Sequence, residues 1–150
     1  MSSAFAFLHH AVAFTLFGAL FAELVLLRNE LTNQTARSLL RIDAVYGVSA
    51  AALVVFGLVR VYFTEKGAAY YLHSSTFIAK IVLFALVGLL SIYPTREFMS
   101  WRKALRAQSL PVLDEARRAS LRRVVHNELA LLLLVILCAV LMARGIGYFG

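Results

Sequence analysis

The 150-residue chain contains one cysteine and none of the common sequence motifs of soluble enzymes. Its one cysteine, Cys138, lies within an apolar run, so an intramolecular disulfide and a cysteine-based zinc or iron–sulfur site are both excluded. The sequence has no nucleophile-elbow, P-loop, zinc-protease or Rossmann glycine motif, and no repeat or low-complexity segment. These absences argue against the common soluble hydrolases and nucleotide-binding enzymes.

Acidic residues are also scarce, because 8 Asp and Glu stand against 15 Lys and Arg, for a formal net charge of +7. In a soluble protein such a balance can indicate nucleic-acid binding. Here the basic residues lie between long apolar runs, so orientation in a membrane explains them better. We therefore expect no nucleic-acid partner, and contacts with anionic lipid headgroups instead.

Apolar residues are abundant: they make up 61% of the chain, and its mean hydropathy is +0.80. So short a soluble protein has too little interior to bury that much apolar surface. Four apolar segments are each long enough to cross a hydrocarbon core of about 30 Å as a helix. They span residues 4–27, 44–63, 76–93 and 124–143. We predict an all-α integral membrane four-helix bundle that forms one domain over residues 1–150.

The distribution of Lys and Arg predicts the orientation of the bundle. Residues 95–123 hold eight of them, residues 28–41 hold three, residues 60–75 hold two, and the tail before His9 holds none. The positive-inside rule then places both richer loops in the cytoplasm and both chain ends outside. The first segment lacks a basic start and a cleavage motif, so we expect it to be a mature helix rather than a signal peptide. The expected location is a bacterial inner membrane.

The segments between the spans carry local signals. Pro94 is expected to end the third span, and residues 28–41 form the first connection. In the basic loop, residues 96–106 alternate basic and apolar side chains, as in a helix at headgroup level. Asp114 and Glu115 then favour the start of a second helix that continues into the fourth span. Residues 65–67 are predicted to form a turn.

Ionisable groups inside membrane spans are costly, so they are the first candidates for a functional site. Five candidates converge on the outer leaflet: four belong to three predicted helices, and His73 belongs to the loop before the third span. They are His9, His10, Arg60, His73 and Lys80. The alternative is structural: a histidine can hydrogen-bond a neighbouring helix, and Arg60 and Lys80 can extend their charged ends to the interface.

A second set of polar residues predicts a seam inside the bundle. His9 and Glu23 are 14 positions apart, which at about 100° per residue brings them within about 40° of one helix face. Tyr46 and Arg60 have the same separation. The predicted seam, which extends to the inner side, comprises Glu23, Asp43, Tyr46, Ser91 and His126.

Four strings of residues resemble a family of small bacterial four-span membrane proteins that is catalogued as a domain of unknown function. The strings are residues 8–28, 43–47, 65–73 and 89–94. More distantly, the chain is similar to HemJ-type protoporphyrinogen oxidases and to CopD-type copper-resistance proteins. All share a helix-1 histidine (His9 or His10) followed about two turns later by glycine (Gly18). A HemJ-like Ala-Lys pair is present at residues 79–80.

The resemblance to HemJ implies haem b bound by a helix-1 histidine, an important role for Lys80, and an oxidoreductase activity. Our leading hypothesis is accordingly a protein that binds haem b or a porphyrin and has a redox-related role. His9 or His10 would ligate the haem iron, Arg60 and Lys80 would pair with its propionates, and His73 is the candidate second ligand. Alternatives are a non-catalytic subunit of a larger complex or homo-oligomer, and an ion- or proton-conducting bundle.

Overall fold

The computed structural model describes the backbone of residues 2–63 and 71–149, and the side chains of those residues from position 4 onward. Within these residues four long helices and one short helix form. They are α1 (Ser2–Arg28), α2 (Asn33–Phe63), α3 (Ser75–Ser100), α4 (Arg102–Arg106) and α5 (Glu115–Ala143). The four long helices are long and apolar enough to cross a membrane. The predicted all-α four-helix membrane bundle is confirmed.

The helices form a closed ring in which each long helix packs against two others. Helix α1 packs on α2 and α5, and α3 packs closely on α5 but only loosely on α2. Within the described residues α1 and α3 do not pack together, so they lie diagonally across the bundle. Both chain ends lie at one end of the bundle, near the end of α2 and the start of α3. That this end faces outward stays a prediction.

Helix α2 is longer than its apolar span. We predicted residues 28–41 as a connection, but only residues 29–32 separate α1 from α2. The buried side chains of α2 begin at Ala36 and Leu39 and continue with Asp43 and Tyr46, at spacings of three and four residues. This periodicity marks an amphipathic helix, and the arginines on its other face lower the mean hydropathy by which spans are located.

Helix α3 continues through Pro94, so the prediction that the span ends there is wrong. A proline removes one backbone donor, but in a bundle the neighbouring helices and hydroxyl side chains stabilise the helix around it. Pro94 is buried, and the next residue, Thr95, bonds to α2. The predicted headgroup-level helix over 96–106 is accordingly also wrong in extent: its first residues belong to α3 and only Arg102–Arg106 form α4.

Helix α5 begins where its acidic residues predicted. Asp114 is the N-cap, and its Oδ1 accepts a 2.7 Å hydrogen bond from the backbone N–H of Arg117. Glu115 adds negative charge to the first turn, which favours the positive end of the helix dipole. The helix then runs without a break to Ala143, as expected.

A short C-terminal segment holds the start of α3. The carbonyl of Gly147 accepts hydrogen bonds from the backbone N–H of Ser75 at 2.8 Å and from its hydroxyl at 3.1 Å. The Thr76 hydroxyl donates to the carbonyl of Ile146 at 3.1 Å. These bonds fix the last residues of the chain against α3. The turn predicted at residues 65–67 lies outside the described residues.

Candidate functional site

A cavity of about 560 Å³ lies between α2 and α3, where these two helices pack loosely. Its walls are mostly apolar or small: Ala50, Leu53 and Gly57 come from α2, and Phe84 and Gly88 from α3. Helix α5 closes one side, and α1 contributes a single histidine. The cavity has the size and apolar lining of pockets that bind small molecules.

That histidine is His9, which enters the cavity beside Gly57. A methyl group placed on Gly57 would lie 3.8 Å from the Cε1 atom of His9, which is van der Waals contact, so the imidazole ring lies directly beside α2 at this residue. The Nδ1 atom of His9 is buried and has no hydrogen-bond partner among the described residues. A buried, unpaired imidazole nitrogen is costly unless something else binds it.

Two cations lie in the same cavity. Arg60 and Lys80 both line it, and both interact electrostatically with His9. No acidic side chain is found in the lining that the structure describes. The structure thus brings together His9, Arg60 and Lys80, which the sequence places in three different helices, and the charges of Arg60 and Lys80 face an apolar space.

The other two predicted outer histidines lie elsewhere. His10 is exposed, and its Nδ1 atom lies 2.6 Å from the carbonyl oxygen of Ala6. His73 is also exposed, and its ring packs against Phe149 with 5.9 Å between ring centroids. Neither histidine lines the cavity as described. Since two adjacent helical residues point about 100° apart, only one of His9 and His10 can face the bundle.

The cavity opens sideways through the gap between α2 and α3. Three of its lining residues, Val54, Leu58 and Ile81, are about half exposed, at 46%, 52% and 51%. These side chains lie on the outer surface of helices that cross the membrane, so the surrounding lipid is in contact with the opening. The opening of the cavity therefore faces the acyl chains of the bilayer.

A cluster of buried carboxyl groups lies toward the other end of the bundle. Glu23 from α1 and Glu128 from α5 are 1% and 0% exposed, and Asp43 from α2 interacts electrostatically with both of them. The Oε1 atom of Glu23 and both carboxyl oxygens of Glu128 lack hydrogen-bond partners in the part of the chain described. No group of three residues able to hold a metal ion is found there.

Two hydroxyl side chains on α3 bond to α2 beside this cluster. The Thr95 hydroxyl donates to Asp43 Oδ1 at 2.6 Å, and Arg102 interacts electrostatically with the same carboxylate. One turn earlier, Ser91 donates to the carbonyl of Gly88 at 2.8 Å and shares a side-chain hydrogen bond with Tyr46. Gly88 lines the floor of the cavity, so these bonds connect the cavity to the carboxyl cluster.

The predicted seam therefore exists in part. Glu23, Asp43, Tyr46 and Ser91 meet in the interior, but His126 is exposed on the outside of α5. Sequence reasoning missed Glu128 as a member of the cluster. Helical periodicity could have identified Glu128, because Leu121, Val125 and Glu128 follow one another at spacings of four and three residues and form the buried face of α5. His126 does not belong to this series.

The fold and the site define a polytopic α-helical membrane protein with a ligand-sized cavity and buried charged groups. The chain matches the sequence model of the family described as Predicted membrane protein (DUF2214) over residues 1–147. It belongs to that family. Comparison with curated proteins and with solved structures finds no match in either, so the similarity to HemJ-type and CopD-type proteins stays a prediction.

Proposed function

We propose that this protein binds haem b, or another porphyrin that carries carboxylates, in the cavity between α2 and α3. It would do so in a bacterial inner membrane, with both chain ends on the outer side. The observation that carries the proposal is the buried Nδ1 atom of His9, which has no partner among the described residues and lies in an apolar cavity. Imidazole is a common axial ligand of haem iron.

The charges of the cavity fit the periphery of such a ligand. A porphyrin has an apolar ring and carboxylate side chains, and the cavity has apolar walls with Arg60 and Lys80 beside His9. Charge-assisted hydrogen bonds from these two cations would hold the carboxylates. With no acid in the described lining to neutralise them, an anionic ligand would relieve the repulsion between these two cations.

When bound, haem b supplies one-electron redox chemistry, which its axial ligand and surroundings tune. The chain would contribute the imidazole of His9, the cations that orient the propionates, and walls that exclude water. The lateral opening beside Leu58 and Ile81 would admit a ligand from the bilayer. Since neither His10 nor His73 lines the cavity as described, we assign His9 alone as the ligand from this chain.

An absorption spectrum tests the proposal directly. The protein, purified in mild detergent and titrated with haem, should show the Soret shift of a ligated haem. His9→Ala should abolish that shift, whereas His10→Ala, the matched control at the exposed neighbouring position, should keep it. The double variant Arg60→Gln/Lys80→Gln should weaken binding by at least tenfold, at about 1 kcal/mol or more for each lost charge-assisted bond.

A protein that gives no Soret shift, or one that His9→Ala leaves unchanged, would contradict the proposal. Co-purification with a fixed membrane partner and no porphyrin would instead favour an accessory subunit of a larger complex. Each variant should be checked for its helical content by circular dichroism, so that loss of binding is not confused with loss of fold.

A second candidate function is proton conduction, and the carboxyl cluster favours it. Glu23 and Glu128 are buried, lack hydrogen-bond partners among the described residues, and lie near the Tyr46–Ser91 hydrogen bond that leads to the cavity floor. Intramembrane carboxyl groups of this kind are found in proton relays. Proton flux into liposomes should fall in Glu23→Gln/Glu128→Gln and persist in the exposed control Glu30→Gln.

A further inference from the structure

A second cavity, of about 440 Å³, lies at the end of the bundle opposite His9, between the first turns of α2 and the short helix α4. Four arginines line it. Arg37 and Arg41 come from α2, and Arg102 and Arg106 come from α4. Two elements far apart in sequence thus bring four guanidinium groups around one space, and Leu40 and Leu105 supply its apolar wall.

These arginines have few acidic neighbours. The ion pairs in the described part of the chain join Asp114 and Glu115 to other arginines, on α5. Asp43 interacts electrostatically with Arg102 from the interior side, and no carboxylate lines the cavity itself as described. The four guanidinium groups therefore repel one another unless an anion lies between them.

The cavity is held in shape by two hydrogen bonds between its walls. Arg37 donates from Nη2 to the carbonyl of Leu105 at 3.2 Å. Asn33 donates from Nδ2 to the carbonyl of Gln108 at 3.3 Å, and Gln108 has a left-handed backbone with φ of 54°. These bonds join the first turns of α2 to the segment at the end of α4, so the arginines are carried by a connected structure.

We infer that this cavity binds the phosphate group of an anionic phospholipid. Guanidinium groups match phosphate oxygens with pairs of parallel hydrogen bonds, and basic pockets between membrane helices are a known form of lipid headgroup site. Arg37 and Arg41 precede the apolar span of α2 that begins near residue 44, and Arg102 and Arg106 follow the apolar span of α3, which puts all four at headgroup level. Leu40 and Leu105 would contact the glycerol and the first acyl carbons. The site is independent of any ligand bound beside His9.

Lipid add-back to the whole detergent-purified protein tests this site. Native mass spectrometry should detect phosphatidylglycerol bound more tightly than phosphatidylcholine. Arg41→Gln/Arg106→Gln should weaken phosphatidylglycerol binding by about tenfold or more, since each basic residue near the membrane surface contributes about 1 kcal/mol. The matched control Arg96→Gln/Arg123→Gln removes two exposed charges outside the cavity and should weaken binding by less than threefold.

The variants are chosen to preserve the fold, since Arg41 and Arg106 are exposed and make no hydrogen bond or ion pair within the described residues. If they nevertheless fail to fold, two measurements on the unaltered protein test the site instead. These are its preference between the two lipids and the competition of headgroup fragments with phosphatidylglycerol. Equal loss in both double variants, or no preference for phosphatidylglycerol, would overturn the assignment. If inorganic phosphate competes for the site as well as phosphatidylglycerol does, the site binds free anions, and the assignment to a phospholipid is wrong.

Discussion

The hydroxyl of Thr95 donates a 2.6 Å hydrogen bond to the carboxylate of Asp43, and so joins α3 to α2 at the residue that follows Pro94. Asp43 is buried, and Thr95 is half-buried beside it. Between the loosely packed helices α2 and α3, this bond and the Tyr46–Ser91 pair hold the two together below the cavity. Above these contacts, the gap between α2 and α3 leaves room for a ligand.

Removing the Thr95 hydroxyl should destabilise the bundle. Thr95→Val keeps the shape of the side chain but deprives a buried carboxylate of its hydrogen-bond donor, at a cost of roughly 1–3 kcal/mol. Thermal unfolding in detergent should show this loss. Thr15→Val is the control, because among the described residues the Thr15 hydroxyl bonds only to the carbonyl of Ala11 in its own exposed helix turn. Equal stability of the two variants would show that the Asp43 contact contributes nothing.

The size of residue 57 should decide whether the cavity accepts a ligand. In Gly57→Ala the added methyl lies 3.8 Å from the Cε1 atom of His9, an ordinary contact, so haem titration should be nearly unchanged. In Gly57→Leu the larger side chain would occupy the space beside the imidazole and should abolish the Soret shift. If Gly57→Leu still binds haem as tightly as Gly57→Ala, the ligand does not lie beside this face of His9.

Gly147 should tolerate no side chain. Its φ is +88°, and an added methyl would lie 2.6 Å from the Ser75 hydroxyl oxygen, so Gly147→Ala should destabilise the protein by roughly 1–3 kcal/mol. At Gly18, an added methyl has no neighbour within 4 Å, and Gly18→Ala should raise stability by roughly 0.5–1 kcal/mol through higher helix propensity. Thermal unfolding of the two variants in detergent measures both effects. A stable Gly147→Ala would show that the C-terminal segment does not hold the start of α3.

The orientation predicted from the basic loops can be tested with reporters. A periplasm-active phosphatase fused after Gly150 should be active in a bacterial host, because we expect both chain ends outside. The same reporter inserted at residues 108–112, in the basic loop between α4 and α5, should be inactive. A fluorescent protein that matures only in the cytoplasm should give the opposite pattern at both sites. Reversed results would show that the bundle has the opposite orientation in the membrane, with the same fold.

Local sequence patterns predicted much of the fold. The four apolar runs predicted the four long helices, and Asp114 predicted the start of α5, because span length and capping depend on residues close in sequence. The continuation of α3 beyond Pro94 was not predictable in this way. It depends on Thr95 meeting Asp43 from another helix, a contact that no local pattern reports.

The candidate site was predictable only as a set of charged residues in one leaflet. Helical phase favoured His9 over His10 as the residue on the Glu23 face, but it could not show that His9 lies beside Gly57 in a cavity. Glu128 was missed because its partners, Glu23 and Asp43, belong to other helices.

The amino-acid sequence by itself determined that this chain folds in lipid as four helices, because apolar runs of that length leave the backbone no other way to pair its polar groups. Only the tertiary structure decided which polar side chains meet: His9 with Arg60 and Lys80, Glu23 with Asp43 and Glu128, and the four arginines of α2 and α4. The physical reason is that hydropathy sets the depth of each residue in the membrane. The rotation and the neighbours of each helix are set by packing between distant segments.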